Sequence, residues 1–358
     1  MRYHIWTEGC QMNEADSQKL AAGLARLGWE EAPDAAEADL AVVNTCVVRQ
    51  KAEDRAAGYL GHLGKLKKTR GGLQIAVMGC MVGPRTEVLR ARFPYVDTWA
   101  RPQNFEVVLR ALMPESDFGG EFWPDTFPEP TGPAAFVPVI HGCNKFCTYC
   151  IVPYRRGRER SRAVHEIARE VGAACGKGVR EVTLLGQTVE AYGKDLPSDA
   201  EGRKPDLGDL FRAVHDTPGL ERIRFLTSYP RDMTESIIQS VADLPKVCEH
   251  FNIPLQAGDN EILAAMRRGY TIEEYRDWVY RIRDIVPDTS MSTDVIVGFC
   301  GETEAQFFNT LCVLEELRFD KVHVAAYSPR PGTIAWRHMD DSIPLEEKMR
   351  RLHAVEEL

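Results

Sequence analysis

Three closely spaced cysteines in the middle of the chain are the clearest candidates for chemistry. Cys143, Cys147 and Cys150 form a Cys-x3-Cys-x2-Cys pattern directly after an apolar run that ends at Ile140. Three thiolates on one loop bind three irons of a four-iron cluster and leave the fourth iron without a protein ligand. An open iron of this kind chelates an amine and a carboxylate, which fits the methionyl end of S-adenosylmethionine. A structural zinc site with His141 as its fourth ligand is the alternative.

Three further cysteines share one position relative to predicted strands. Each lies just past the carboxyl end of an apolar run: Cys10 after residues 3–6, Cys46 after 40–43 and Cys80 after 75–78. Because such ends of parallel strands line one crevice, the pattern predicts a shared site and a second three-thiol cluster. Three separate buried cysteines are the alternative. The remaining cysteines lack partner spacing and are predicted to be core residues: Cys175, Cys248, Cys300 and Cys312.

The elements that must position these thiols follow an alternating pattern. Strand and helix signals alternate over residues 1–113, which predicts an N-terminal parallel α/β domain of flavodoxin or Rossmann type. Prolines and acidic residues at 114–133 interrupt the helical and strand spacing of apolar residues, and this segment is predicted to be a linker. Six strand–helix units over 134–358 then predict a partial (β/α)6 barrel with its active groups at the strand carboxyl ends. Its strands are predicted at 136–140, 181–185, 223–227, 251–255, 291–297 and 322–326.

Composition and charge restrict the class of protein. The 358 residues are 44% hydrophobic and 27% charged, which is typical of a globular protein. The net charge of −9 argues against nucleic-acid binding through bulk positive charge, so any basic contact surface must be local. Neither a signal segment nor a membrane-spanning stretch is predicted, and a cytoplasmic location is expected. In that reducing compartment, ten cysteines favour metal chemistry over disulfides.

Several segments together resemble the methylthiotransferase family of radical S-adenosylmethionine enzymes, over essentially the whole chain. The matching segments are GCQMN at 9–13, NTCVVR at 44–49, MGC at 78–80, GCNKFCTYCIVPY at 142–154, LLGQ at 184–187, TSYP at 227–230, IPLQAG at 253–258, TDVIVGF at 293–299 and YSPRPGT at 327–333. The pairs Gln11-Met12 and Val47-Val48 are similar to the tRNA branch and unlike the branch that modifies a ribosomal-protein aspartate.

The resemblance implies cofactors, a reaction and partners. It implies an auxiliary 4Fe-4S cluster on Cys10, Cys46 and Cys80, and a radical cluster on the 143–150 loop. The family attaches a methylthio group to the adenine ring of N6-isopentenyladenosine beside the tRNA anticodon. S-adenosylmethionine serves as both methyl donor and source of a 5′-deoxyadenosyl radical. The expected partners are the tRNA anticodon stem-loop, an electron donor such as flavodoxin or ferredoxin, and a sulfur donor, with the chain itself a monomer.

The same motifs also allow other functions. The same chemistry on threonylcarbamoyladenosine in tRNA or on a ribosomal protein is the enzymatic alternative. A structural metal protein or electron carrier is the alternative from another class. The chain also departs from the family: residues 188–191 replace an asparagine-rich stretch, and Tyr229 stands where the tRNA branch often has histidine. The family usually ends in an RNA-binding TRAM domain, which residues up to Leu358 do not supply, so a further C-terminal piece is expected.

Two sets of secondary contacts complete the prediction. Cofactor contacts are expected from an aromatic ring between two cluster cysteines and from polar residues at or near strand ends: Tyr149, Gln187, Ser228, Gln256 and Asp294. A hydrophobic plug and ordinary polar caps are the respective alternatives. A run of arginines after the cysteine loop is a candidate for RNA phosphate contacts, with a solvated charged loop as its alternative: Arg155, Arg156, Arg158, Arg160 and Arg162.

Overall fold

The computed structural model describes residues 1–48, 50–113, 128–226 and 228–358. The first part of the chain alternates strands and helices: β1 (Arg2–Glu8), α1 (Gln11–Arg26), β2 (Glu30–Glu31), β3 (Leu40–Thr45), α2 (Gln50–Arg70), β4 (Gln74–Gly79), α3 (Glu87–Arg92), β5 (Thr98–Ala100) and α4 (Glu106–Leu112). The strands form one parallel sheet in the order β2-β1-β3-β4-β5. The three strands predicted before the scattered cysteines are therefore confirmed.

The sheet is apolar because helices cover both of its faces. Leu20 and Leu24 of α1 pack on one face, and Leu60 and Leu63 of α2 pack on the other. All six residues of the central strand β3 are buried, as expected for a strand that is covered on both sides. The strand ends are level, since Thr45 of β3 stands beside Glu8 in β1 and Gly79 in β4.

The second part of the chain forms an open arc of six parallel strands. Its elements are β6 (Ala134–Pro138), β7 (Ile140–His141), α5 (Val152–Arg156), β8 (Arg160–Ser161), α6 (Val164–Gly176), β9 (Glu181–Leu185), α7 (Leu207–His215), β10 (Arg222–Leu226), α8 (Glu235–Asp243), β11 (His250–Asn252), α9 (Asn260–Ala265), α10 (Ile272–Ile285), β12 (Ser290–Val297), α11 (Glu304–Leu317), β13 (Lys321–Ala326), α12 (Ile334–His338) and α13 (Leu345–Glu356).

The arc consists of two hydrogen-bonded groups, β6-β9-β10 and β11-β12-β13. The amide of Ser228 donates to the carbonyl of Asn252 at 3.3 Å and links the two groups. The predicted partial (β/α)6 barrel is confirmed, with differences in two of its strands. The strand predicted over 251–255 is limited to β11 (His250–Asn252), and residue 227 of the strand predicted over 223–227 lies outside the described residues. The strand predicted over 136–140 ends at Pro138, the amide of Val139 still donates to the carbonyl of Leu185 at 2.9 Å, and Ile140 then pairs antiparallel with Ser161 of β8.

The sheet and the barrel contact each other through buried residues of both. Arg156 of α5 pairs with Asp16 of α1 at 3.1 Å, and both side chains are buried. Ile151, next to the cysteine loop, packs into the apolar cluster on the α2 face of the sheet. Of the linker predicted at 114–133, residues 114–127 lie outside the described residues. In the described part of the chain, no helix combines the length and apolar character needed to span a bilayer.

Candidate active site

One cavity of about 680 Å³ opens where the carboxyl ends of the sheet strands face the barrel. All six cysteines that the sequence singled out line its wall: Cys10, Cys46, Cys80, Cys143, Cys147 and Cys150. All ten cysteines of the chain are free thiols. The predicted convergence of the two thiol sets on a shared space is therefore what the structure contains.

The first thiol set is brought together by the strand register. Cys10 precedes the first turn of α1, while Cys46 and Cys80 come directly after β3 and β4. Because Thr45 and Gly79 stand side by side, the two cysteines that follow them are neighbours. The amide of Cys80 donates to the carbonyl of Thr45 at 2.7 Å. This set needs no contribution from the barrel to converge.

A buried network of side-chain amides holds α1 against β3 next to this thiol set. Asn13 donates to the Oδ1 of Asn44 at 2.8 Å, and Asn44 donates back to the carbonyl of Asn13 at 2.8 Å. Gly79 adopts φ +91°, and a Cβ there would lie 2.5 Å from the carbonyl oxygen of Thr45. Only glycine satisfies both the left-handed backbone and the close approach. The network ties the helix that begins at Cys10 to the strands that present the other two thiols.

The second thiol set lies on the loop between β7 and α5. Gly142 opens the loop with φ +73°, and a Cβ there would lie 2.0 Å from the carbonyl oxygen of Arg158. Thr148 anchors the loop at its centre, because its amide donates to Met266 at 3.0 Å and its hydroxyl to Ala265 at 2.9 Å. The three thiols thus lie on a short loop that is fixed by hydrogen bonds to two backbone carbonyls at the end of α9.

Burial raises the pKa of four of these thiols. It raises the pKa of Cys46 to about 11, that of Cys143 to about 11 and that of Cys150 to about 12. The pKa of Cys80 is raised by burial as well. Because iron binds thiolates, loading a cluster onto either set releases these protons. Three thiols per set, of which Cys10 is exposed and Cys150 is half-buried, match the three protein ligands of a four-iron cluster with one iron left for a ligand that is not protein.

The zinc alternative required His141 as a fourth ligand. His141 is buried in β7 and lines a different, smaller cavity together with arginines. In addition, among the described residues no group of three or more Cys, His, Asp and Glu side chains is arranged to hold one metal ion. Because His141 does not line the thiol cavity, the zinc alternative lacks the fourth ligand that it assigned to this residue.

The five predicted cofactor contacts all line the thiol cavity: Tyr149, Gln187, Ser228, Gln256 and Asp294. Gln256 adopts φ +70°, a strained conformation that places a buried amide at the cavity wall. Asp294 lies within β12 rather than at its end, and Asn252 donates to its Oδ2 at 3.2 Å. These are placements, and the roles of the five residues stay predictions.

Arg268 is a cavity residue that the sequence analysis did not identify. It is 5% exposed and donates from Nη1 to the Sγ of Cys147 at 3.4 Å. Its guanidinium lies over the rings of Tyr229 and Tyr270, 4.7 and 5.2 Å from their centroids. Spacing along the chain gave no signal for it, because Arg268 is 121 residues away from Cys147. A cation is thus held against one thiol of the second set.

The two family departures lie next to each other on the barrel side of the cavity. The backbone amide of Tyr229 donates to the Oε2 of Glu190 at 3.2 Å, and its hydroxyl donates to the carbonyl of Arg268. Glu190 is 2% exposed, and burial together with the nearby Asp232 carboxylate raises its pKa to about 8. Lys145 pairs with Asp232 at 2.5 Å and lies over the Tyr229 ring.

The arginine run after the cysteine loop is divided among different environments. Arg156 lines the thiol cavity and pairs with Asp16, whereas Arg162 is buried against Glu170 at 2.5 Å. The others line the smaller cavity that also contains His141: Arg155, Arg158 and Arg160. Of the remaining cysteines, Cys175 and Cys300 are buried as predicted, and Cys248 is half-buried. The core prediction for Cys312 is wrong, since that side chain is exposed on α11.

The sequence also matches known families. The Radical SAM superfamily model matches residues 137–311, and the model of the uncharacterized protein family UPF0004 matches residues 2–100. The tRNA-2-methylthio-N(6)-dimethylallyladenosine synthase of Dehalococcoides mccartyi (strain CBDB1) is 46% identical over 361 residues, covering 99% of this chain and 82% of the relative. The synthase of the same name from Herpetosiphon aurantiacus is 44% identical over 370 residues, covering 100% of this chain and 82% of the relative.

Solved structures show the same fold. The radical S-adenosylmethionine methyltransferase TsrM from Kitasatospora setae, with cobalamin and a [4Fe-4S] cluster bound, has a TM-score of 0.68 and 14% identity, covering 94% of this chain and 77% of that protein. At such low identity the likeness concerns the fold alone. The relatives are far closer in sequence and confirm the methylthiotransferase resemblance. The chain therefore belongs to the family of tRNA-2-methylthio-N(6)-dimethylallyladenosine synthases, which are radical S-adenosylmethionine enzymes.

Proposed function

We propose that this chain attaches a methylthio group to the adenine ring of N6-isopentenyladenosine next to the tRNA anticodon, with S-adenosylmethionine as methyl donor and radical source. The observation that carries the proposal is the convergence of two sets of three thiols on one cavity of about 680 Å³. Each set supplies three of the four ligands of a 4Fe-4S cluster. The cytoplasm, tRNA and a cytoplasmic electron donor are the proposed compartment and partners.

Bound 4Fe-4S clusters and S-adenosylmethionine supply the radical and sulfur chemistry, because no side chain activates an aromatic carbon–hydrogen bond by acid–base catalysis. The chain's own contribution is ligation, orientation and exclusion of water. We assign the auxiliary cluster to Cys10, Cys46 and Cys80. We assign the radical cluster to the 143–150 loop, where Arg268 holds a positive charge against one thiol.

Around that loop, polar groups of the barrel strands fit the methionyl and ribose groups of S-adenosylmethionine. Ser228 and Gln256 lie on the barrel wall of the cavity, and both are buried. Asn252 orients Asp294 through the 3.2 Å hydrogen bond, which fixes a carboxylate on the same wall. Tyr149 packs edge to face on Phe299, with 6.4 Å between ring centroids, so its ring has a fixed orientation beside the cysteines. These contacts position a bound cofactor against the loop.

The test separates the two thiol sets in one assay. We compare the full chain with Cys10→Ala, Cys147→Ala and Cys312→Ala after anaerobic reconstitution with iron and sulfide. The assay measures 5′-deoxyadenosine and methylthio nucleosides from two substrates, tRNA that carries isopentenyladenosine and tRNA that carries threonylcarbamoyladenosine. Cys10→Ala is expected to form 5′-deoxyadenosine without methylthio product, and Cys147→Ala to form neither. Cys312→Ala, with its exposed thiol, is the matched control and should retain both.

The outcomes distinguish the alternatives. Full methylthio product from Cys10→Ala would refute the auxiliary assignment. Product on threonylcarbamoyladenosine alone would refute the choice of base while leaving the reaction type in place. If the reconstituted parent chain forms no 5′-deoxyadenosine after reduction, the protein is not a radical enzyme, and a structural or electron-carrying role replaces the proposal.

A further inference from the structure

A second, smaller cavity lies beside the thiol cavity, at the contact between the sheet and the barrel. Its volume is about 210 Å³, and the turn before α4 and the segment from α5 to β8 contribute to its wall. Five arginines line it: Arg101, Arg155, Arg156, Arg158 and Arg160. Among the described residues of the wall, none is Asp or Glu. The cavity is therefore strongly basic in a chain whose net charge is −9.

The nearby carboxylates leave much of this charge in place. Asp16 pairs with Arg156 at 3.1 Å from outside the wall, and Glu53 acts on Arg155. Arg155 nevertheless has a lowered pKa, because burial and the neighbouring Arg101 outweigh Glu53. Arg101 also donates from Nη2 to the backbone carbonyl of Arg155 at 3.3 Å, which places the two residues next to each other on the cavity wall.

Several buried donors on this wall have no acceptor among the described residues. They are the Nε2 of Gln103 and the Nε atoms of Arg101 and Arg155, whereas the guanidinium of Arg156 is directed to Asp16 and to the Cys80 sulfur. Gln103 and Arg156 are 9% and 7% exposed. A buried donor without an acceptor is costly, and native proteins usually satisfy it with protein, water or a ligand. Donors of one kind on one wall indicate a ligand that only accepts hydrogen bonds.

The backbone of Gln103 gives an independent indication. Its φ is +69°, in the left-handed region that residues other than glycine seldom adopt. The turn that holds it is closed by a hydrogen bond from the amide of Asn104 to the carbonyl of Arg101 at 3.0 Å. A strained residue that carries a buried, unsatisfied amide is typical of a binding site.

We propose that this arginine cavity, defined by Arg101, Gln103, Arg155 and Arg156, binds a phosphate group. Planar guanidinium groups and an amide match the unesterified oxygens of a phosphate group through charge-assisted hydrogen bonds. A free phosphate ion and a phosphodiester of an RNA backbone both present such anionic oxygens, and the second arm of the test separates these two sources. The proposal does not depend on the methylthiolation reaction, because the cavity is distinct from the thiol cavity and shares only Arg156 with it.

The first arm of the test titrates the full chain with inorganic phosphate and measures binding by calorimetry. We expect saturable binding, at least tenfold weaker in Arg101→Met and several-fold weaker in Gln103→Gly. Arg110→Met is the matched control, since Arg110 is exposed on the adjacent helix α4 and does not line the cavity. It should bind phosphate like the parent chain.

Gln103→Gly tests the same cavity if Arg101→Met fails to fold. Glycine relieves the left-handed strain, so the thermal midpoint should stay unchanged or rise while phosphate binding weakens. A purely structural role for Gln103 predicts the reverse, with a lower midpoint and unchanged binding. That result, or equal phosphate affinity in the parent chain and both cavity variants, would overturn the proposal.

The second arm identifies the source of the phosphate with an anticodon stem-loop RNA. If a backbone phosphate occupies the cavity, Arg101→Met should lower the slope of log affinity against log salt by about one, and inorganic phosphate should compete with the RNA. If free phosphate is the ligand, the slope stays the same and no competition occurs. Absence of phosphate binding together with an unchanged RNA slope refutes the site. Methylthiolation is not measured in either arm, so failure here leaves the proposed reaction untouched.

Discussion

Replacement of Glu190 by glutamine should stabilise the protein, and increasingly so as the pH rises. Glu190 is 2% exposed, and burial raises its pKa to about 8 from an ordinary value of 4.5. The native state therefore keeps the Glu190 proton between these values, whereas the unfolded state loses it. The contribution of this proton to the unfolding free energy is complete below the pKa of Glu190 in the unfolded state. It is lost as the pH rises from there to 8. Glutamine has the shape of the protonated acid and does not titrate.

The size of the effect follows from the gap between the two pKa values. At about 1.4 kcal/mol per pH unit, the gap corresponds to an upper bound of about 5 kcal/mol. Most of this difference in unfolding free energy between the variant and the parent chain, up to about 4 kcal/mol, should develop between pH 5 and pH 8.5. For a domain of this size, about 1 kcal/mol shifts the melting temperature by roughly 2–4 °C. The glutamine variant should therefore gain several degrees over the parent chain at pH 8.5 and little at pH 5.

The assay is thermal unfolding of both proteins at the two pH values, in the same state of cluster loading. Glu201→Gln is the matched control, because Glu201 is exposed and its replacement should change the melting temperature equally little at both pH values. A difference between Glu190→Gln and the parent that does not change with pH would refute the reasoning. It would mean that Glu190 is ionised in the native state or titrates like an exposed glutamate.

Three further changes test the site. Gly79→Ala places a methyl group 2.5 Å from a backbone carbonyl of β3, and it should lower the melting temperature and the iron bound per chain, measured by calorimetry and metal analysis. Arg268→Met removes a positive charge 3.4 Å from the Cys147 sulfur, so the reduction potential of the cluster bound there should fall in an EPR-monitored titration. Arg267→Met, which changes an exposed neighbour, should leave that potential unchanged. Arg156→Met leaves a buried carboxylate on α1 unpaired and should cost about 3–5 kcal/mol of unfolding free energy in urea denaturation.

Local patterns were sufficient to predict the strands and the thiols that follow them. β3 and β4 contain the apolar runs 40–43 and 75–78 because both faces of their sheet are covered, and such runs are easily recognised in the sequence. Parallel register then brings Cys46 beside Cys80 without further information. The second thiol set was predicted from spacing alone, since its members lie within eight residues of one another. β5, with three residues, was missed because it is too short to show a period, and α4 was missed as well.

Contacts between distant segments could not be predicted in this way. Arg268 and Cys147 are 121 residues apart, and Arg156 and Asp16 are 140 residues apart. Neither pair shares a periodic pattern, because each partner belongs to a different strand–helix unit. Cys312 illustrates the opposite error: it lies in an apolar stretch of α11, but its side chain points to solvent. The hydrophobic character of neighbouring residues is a poor guide where a helix has only one covered face.

The ion pair between Arg156 and Asp16 explains how two independently formed thiol sets come to share one cavity. Helix α1 is the first element after Cys10, and α5 is the first element after Cys150. Each helix is therefore set by its own cysteine segment, and the buried pair at 3.1 Å fixes the two helices against each other. Because both charges are buried, the pair tolerates little sliding between the sheet and the barrel. A reaction that passes groups between two cofactors needs this fixed separation, which the sheet or the barrel alone does not provide.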